Sequence, residues 1–164
     1  FRKTRTIATG PRAKQNVAVK TPTHLTGVAE FTNGALLTIT MSFDVWKHEH
    51  KPMELYGTKG SMLIPDPNCF DGEVHCNQRK ENWKVAKNEF PYSDDNYRSL
   101  GLADMAQAIR TGRPHRANGQ MGLHVLEIMT GFLKSAESGS TVDLITSCKR
   151  PEAMKTGLPF GHLD

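Results

Sequence analysis

A chain of 164 residues, 37% hydrophobic and 23% charged, has the size and balance of one globular domain with a core of its own. It holds no run of about 20 apolar residues, which excludes a membrane-spanning helix, and no apolar leader of a signal peptide. The formal net charge of +4 does not mark a nucleic-acid binder, because the basic excess sits in one short arm.

That arm comes first. Six bases (Arg2, Lys3, Arg5, Arg12, Lys14, Lys20) precede the first acid, Glu30, and the rest carries fifteen Lys and Arg against seventeen Asp and Glu. No aromatics are interleaved with these bases to stack on nucleotides, so the arm reads as solvated or packed on a neighbour. Phe1, standing where a start methionine would be, reads as an internal cut in a longer polypeptide. Residues 1–20 are therefore a basic arm or the start of a truncated domain, and 21–164 the domain proper.

The stretch "HLTGVAEFTNGALLTITMSF", residues 24–43, holds two β-rich runs around Asn33-Gly34, a dipeptide suited to a two-residue hairpin turn. With that loop, Thr32 pairs with Ala35, Val28 with Ile39 and Thr26 with Met41. Val28, Leu37, Ile39, Met41 and Phe43 then form a core face. The opposite face carries Gly27, Ala29, Thr38, Thr40 and Ser42, with Leu25, Phe31 and Leu36 toward its ends. It is flat and Thr-rich, a surface that another layer can cover.

"MELYGTKGSMLI" predicts a second hairpin folded about Thr58-Lys59, with Met53 opposite Ile64 and Leu55 opposite Met62. Pro65-Asp66-Pro67 ends it. Short strands are expected at Glu73–Asn77 and Trp83–Lys87. From Asp94 the period becomes helical, with Leu102, Met105 and Ile109 on one stripe, acids at the start and Gly112 and Pro114 at the stop. A second helix carries Val125, Leu126, Met129, Phe132, Leu133 and Ala136, with Asn118 as cap and Gly139 as end. "TVDL" closes the list as a possible strand. Hairpins followed by helices predict an α+β fold: an open, mostly antiparallel β-sheet with helices packed on one face.

The two glycines around Thr58-Lys59 are not a phosphate cradle. A Walker loop places its lysine after the second glycine and at a helix N-terminus, whereas Lys59 precedes Gly60 and a strand follows. No G-x-G-x-x-G opens a helix after a strand, so no cofactor-binding residues are expected. Three cysteines, an odd number, point to reduced thiols and a cytoplasmic setting. His48 and His50 would share a strand face as metal ligands do, yet nothing brings further ligands to them, and no metal is expected. No nucleophile elbow or HExxH is present. The segment "FDVWKHEH" displays Trp46, His48 and His50 just beyond a strong strand, where binding groups are often presented. Tyr97 and Arg98, at the start of the first helix, suit a polyol or an anion. These five are the candidate substrate-binding residues, each with an ordinary packing or solvated role as its alternative. His124, inside the second helix, reads as structural.

The segments "TPTHLTGVAEFTNGALLTITMSFDVW", "ELYGTKGSMLIPDPN", "GLADMAQAIRTGRPHRANG" and "LHVLEIMTGFLKSAESG" together resemble the C-terminal domain of the Gfo/Idh/MocA oxidoreductases, over most of residues 20–145. The resemblance implies an α+β substrate domain that follows a Rossmann domain holding NAD or NADP. It also implies homo-oligomers built through the open sheet, and hydride transfer at a carbinol of a sugar or polyol. The family's lysine belongs to the nucleotide domain, and its Asp/His pair to the opening of the second domain. Neither has a counterpart here, so no catalytic residue is expected in this chain, and none of its histidines inherits that role. The expected partners are its own N-terminal Rossmann domain and further copies of itself, with no nucleic acid and no membrane. The alternative is a free-standing, non-catalytic assembly or ligand-binding module.

Overall fold

The computed structural model describes residues 2–164, so Phe1, read above as an internal cut, lies outside the described residues. In chain order the elements are β1 (Thr4–Thr6), β2 (Asn16–Ala18), β3 (His24–Glu30), β4 (Leu36–Ser42), β5 (Met53–Tyr56), β6 (Gly60–Ile64), β7 (His75–Gln78), β8 (Lys84–Val85), α1 (Leu100–Thr111) and α2 (Gly119–Ser138). The fold is α+β, and every strand pairing is antiparallel. The strands form three separate ladders, β1-β2, β3-β4 and β5-β6-β7-β8, each open at its edges. The chain divides into two compact units. The first takes the chain up to His48 together with Met129–Asp143, and the second takes Glu49–Ile128 with Leu144–Asp164.

In the first unit the basic arm is folded. Ile7 donates to the Gln15 carbonyl and Lys14 to that of Ile7, extending the β1-β2 hairpin, with Gly10 at φ 87° in its turn. The β3-β4 hairpin departs from the expected register by one residue. Its loop is Thr32-Asn33-Gly34: Phe31 N–H donates to Ala35 O, Gly34 N–H to Phe31 O, and Gly34 stands at φ 83°. Asn33 Oδ1 accepts from Ala35 N–H, so asparagine caps the turn and only glycine takes the left-handed position. That is a three-residue loop, next in frequency to the two-residue type. Thr26 therefore pairs with Thr40, Gly27 with Ile39 and Val28 with Thr38.

The slip changes the faces. Leu25, Gly27 and Ala29 join Leu37, Ile39 and Met41, while Val28 moves to the Thr-rich side with Thr26, Thr38 and Thr40. The apolar face is the one the C-terminal half of α2 covers. A Cβ on Gly27 would lie 2.7 Å from Cδ1 and Cε1 of Phe132, so the ring fits only over a glycine. The opposite face stays open, with Val28 64% exposed.

In the second unit the β5-β6 register matches expectation, with Met53 opposite Ile64 and Leu55 opposite Met62. Gly57 N–H donates to Gly60 O across the Thr58-Lys59 turn. Gly60 lies so close to β7 that a Cβ there would meet Asn77 O at 2.0 Å. The helices are shorter or differently faced than their periodicity suggests. α1 starts at Leu100, after the acids, with no acid in its first turn. Its apolar stripe is open, with Leu102 67% and Ile109 78% exposed, and the buried pair is Asp104 and Ala108. Asn118 does cap α2, accepting from Met121 N–H at 3.0 Å, and Gly139 ends it at φ 66°. "TVDL" forms no strand. The backbone just beyond it is satisfied by a side chain: Ile145 N–H (3.0 Å) and Thr146 N–H (2.8 Å) both donate to Glu127 of α2.

Candidate functional site

In the first unit, residues 43–46 leave β4 and meet the basic arm. Thr23 Oγ1 donates to Asp44 Oδ2 at 2.5 Å, and Arg2 Nε lies 3.5 Å from the other carboxylate oxygen. The Thr23 bond, chiefly, with Arg2 behind it, outweighs burial and holds the Asp44 carboxyl below the usual carboxylate range. Two arginines stack on two aromatics: Arg2 stands 4.7 Å from the Trp46 ring centroid and Arg5 5.2 Å from that of Phe43. Arg5 Nη2 also donates to the Phe43 carbonyl at 2.8 Å. Trp46 is thus oriented by Arg2 on one face while remaining 89% exposed. The arm therefore serves as a scaffold for the displayed tryptophan, a role its charge alone does not disclose.

In the second unit, four rings gather ahead of α1. Tyr92 and Tyr97 meet edge to face at 5.2 Å, Phe70 meets Tyr97 at 6.3 Å, and Phe160 lies 6.2 and 6.4 Å from the two tyrosines. Tyr92 stands in the left-handed region at φ 57°, which a bulky residue keeps only when its surroundings hold it there. Its hydroxyl donates to His162 O at 2.6 Å. Tyr97 donates to Asp94 Oδ1 at 2.7 Å; this bond first, then burial and the neighbouring carboxylates, pushes the phenol up to about 12. Tyr97 is thereby a fixed neutral donor, and its oxygen keeps lone pairs for an incoming hydroxyl. Arg98 Nη2 grips Asn68 at both its main-chain oxygen (3.0 Å) and Oδ1 (2.8 Å). Phe160 is 80% exposed, so the cluster shows an apolar ring face beside polar groups. Such a combination of ring faces and fixed donors recognises molecules with an apolar CH face and a hydroxyl rim.

The second unit also holds a charge knot. Asp104, 3% exposed, accepts from Arg113 Nη2 (2.6 Å), Arg116 Nη1 (2.5 Å) and Arg116 N–H (2.8 Å). Burial pushes the carboxyl up, and the two arginines more than reverse it, leaving it below the usual range. Arg116 Nη2 continues to Asp164 Oδ1 at 2.8 Å. A third carboxylate, Glu127, takes the Thr146 hydroxyl as well as the two N–H groups named above, and Thr146 is also 3.0 Å from His124 Nδ1. His124 therefore has a hydrogen-bonded structural place.

The five sequence candidates fall in two groups. Trp46 and His48 belong to the first unit, and His50, Tyr97 and Arg98 to the second. Tyr97 and Arg98 lie in the turn before α1, not in the helix itself. Residues 47–50 form no strand, so the strand spacing expected to set His48 and His50 on one face is not there. Phe70, Tyr92 and Phe160 were missed, because aromatic residues spread over ninety positions carry no local pattern.

A dinucleotide cradle does not fit these residues. The glycines around Lys59 join β5 directly to β6, and among the described residues neither helix follows a strand through a glycine loop. Among the described residues no three His, Cys, Asp or Glu side chains gather as a metal site, and no helix is long and apolar enough to cross a membrane.

Comparison with known proteins returned no match among curated proteins and none among solved structures. A family model described as "Oxidoreductase family, C-terminal alpha/beta domain" matches residues 3–144, beginning at the β1-β2 hairpin and running through α2. That span covers most of the chain, which therefore belongs to the Gfo/Idh/MocA oxidoreductase family as its C-terminal domain.

Proposed function

We propose that this chain is the substrate-side domain of an NAD(P)-dependent oxidoreductase that moves hydride at a carbinol or carbonyl of a sugar or polyol. The observation that carries the reading is the ring cluster of Tyr92, Tyr97, Phe70 and Phe160 beside the fixed phenol of Tyr97 and the exposed Arg98. Ring faces suit the CH side of a cyclic polyol, and the Tyr97 oxygen and Arg98 suit its hydroxyls. In the first unit, Trp46, with His48 following along the chain, offers a second aromatic surface of the same chemistry, while His50 is a polar candidate of the second unit. The hydride carrier would be held by a separate nucleotide domain, since the residues present do not cradle it. This chain alone then has no dehydrogenase activity. The setting proposed is cytoplasmic, in keeping with three free thiols.

Self-association through the open side of β3-β4 completes the proposal. That side presents Thr26, Val28, Thr38 and Thr40 as a flat, low-charge surface, with the Thr26 and Thr40 hydroxyls 3.1 Å apart.

Ligand-observed NMR with a panel of hexoses and inositols tests the substrate reading. Binding that is lost in Tyr97→Ala supports it, and no binding by any member of the panel sinks it. Calorimetry with NAD(H) is expected to show no saturable binding to this chain, and micromolar affinity would overturn the division of labour.

A further inference from the structure

Within the segment after α2, residues 152–164 are gripped at both ends by one side chain. Arg116 Nε donates to Glu152 O at 2.9 Å and Nη2 to Ala153 O at 3.3 Å, while the same Nη2 reaches Asp164 Oδ1 at 2.8 Å. Neighbouring donors reinforce the far end: Arg113 Nε to Asp164 O (2.7 Å) and Gln107 Nε2 to Leu163 O (3.1 Å). Residues 152–164 thus form an Ω-loop, a surface excursion whose ends are brought together. What the loop carries is one of the four rings of the aromatic cluster. Phe160 lies against Tyr92 and Tyr97, the His162 carbonyl takes the Tyr92 hydroxyl, and Gly157 N–H donates to Glu89 O at 3.2 Å.

We propose that Arg116, locked by Asp104, is the positioning residue of this site: it closes the Ω-loop, and the closed loop assembles the aromatic wall at Tyr92 and Tyr97. The wall is where the sugar or polyol proposed above would stack, so the ligand half of the inference rests on that reading. The structural half does not. A guanidinium is suited to the task because its planar fork serves two carbonyls and two carboxylates at once, which a lysine ammonium cannot do. Apart from Arg116, the loop's beginning and end are joined by one long bond, Lys155 N–H to Asp164 Oδ2 at 3.4 Å, so the guanidinium is the stronger tie.

Hydrogen exchange read by mass spectrometry, on the full chain and its Arg116→Gln variant, tests the coupling. Charge-assisted bonds are lost at both loop ends, so exchange in 152–164 should rise roughly tenfold or more, with a matching rise in 88–98. The 24–42 hairpin should keep its rates, and near-ultraviolet circular dichroism from the packed tyrosines should weaken. Faster exchange in the loop with 88–98 unchanged overturns the proposal, as does no change in either. If exchange rises everywhere, Phe160→Ala decides. With the clamp intact it should loosen 88–98 and leave 104–116 unchanged, and failure to do so refutes the coupling. Inositol and hexose titrations of the same proteins separate the two claims. Absence of polyol binding in the unsubstituted chain, with the exchange pattern as expected, removes the substrate reading and leaves the loop closure standing.

Discussion

Replacing Asp104 by alanine removes the acceptor shared by three donors, at 2.6, 2.5 and 2.8 Å, from a carboxylate that is 3% exposed. Arg113 is left without its carboxylate partner, and Arg116 keeps only Asp164. Breaking a buried ion pair from one side costs about 3–5 kcal/mol, because the remaining charge is stranded. Here the arginine side chains are still 23% and 18% exposed and keep bonds to Asp164 and Glu152, which places the loss at the lower end, about 3 kcal/mol. With a urea dependence of about 2 kcal/mol per molar for a chain of this size, the unfolding midpoint should fall by about 1.5 M. Urea titration followed by far-ultraviolet circular dichroism measures this directly. The exposed Lys84–Glu81 pair, 2.8 Å apart, is the control: Lys84→Ala should move the midpoint by less than about 0.5 M. An Asp104→Ala shift as small as the control's would refute the reasoning, since it would make the knot an ordinary surface ion pair.

Acid should act on the same groups. Asp104, Asp164 and Glu127 all have folded-state pKa values below their ordinary 3.8, 3.8 and 4.5, so they add stability above those values and lose it as pH falls through the folded ones. Urea midpoints should be flat from neutral pH to about pH 5 and drop below about pH 4, with a shallower drop in Asp104→Ala; equal slopes in the two proteins would count against the assignment. Gly27→Ala places a methyl group 2.7 Å from the Phe132 ring and should cost about 1–3 kcal/mol, with Phe132→Leu restoring part of it. A double variant that is no better than Gly27→Ala would mean that the ring is not what fills that space. Thr40→Lys on the open side of β3-β4 should abolish concentration-dependent self-association in light scattering, and a strict monomer before substitution would rule out that face as an interface.

Local signals in the sequence carried the β5-β6 hairpin and the cap of α2 to the residue. Both are decided by neighbours within a few positions: the Gly57–Gly60 turn, and Asn118 three residues before Met121. The β3-β4 register went astray because Asn33-Gly34 admits either a two- or a three-residue loop, and Asn33 Oδ1 bonding to Ala35 N–H favours the longer one. The helix stripes misled for a different reason. Periodicity marks Leu102, Met105 and Ile109 as buried, yet α1 turns inward the residues that meet Arg113 and Arg116, and these are Asp104 and Ala108. The site was half legible. Tyr97 and Arg98 stood out as polar groups beside a helix, but Phe70 and Phe160 reach Tyr97 only through the folded chain.

Arg116 and Asp164 are 48 positions apart, and their contact has a consequence for the unfolded state. Joining the ends of a loop that long removes about 4 kcal/mol of chain entropy by the model used for disulfide cross-links. A disulfide is already in place before folding begins, whereas this ionic tie forms during folding and must offset that entropy itself. The three cysteines are all free thiols, so the tail is stapled without sulfur. Such a staple is indifferent to thiol reductants and responds to acid and salt, and among the steps of folding it belongs late, after α1 has brought Asp104 to its place.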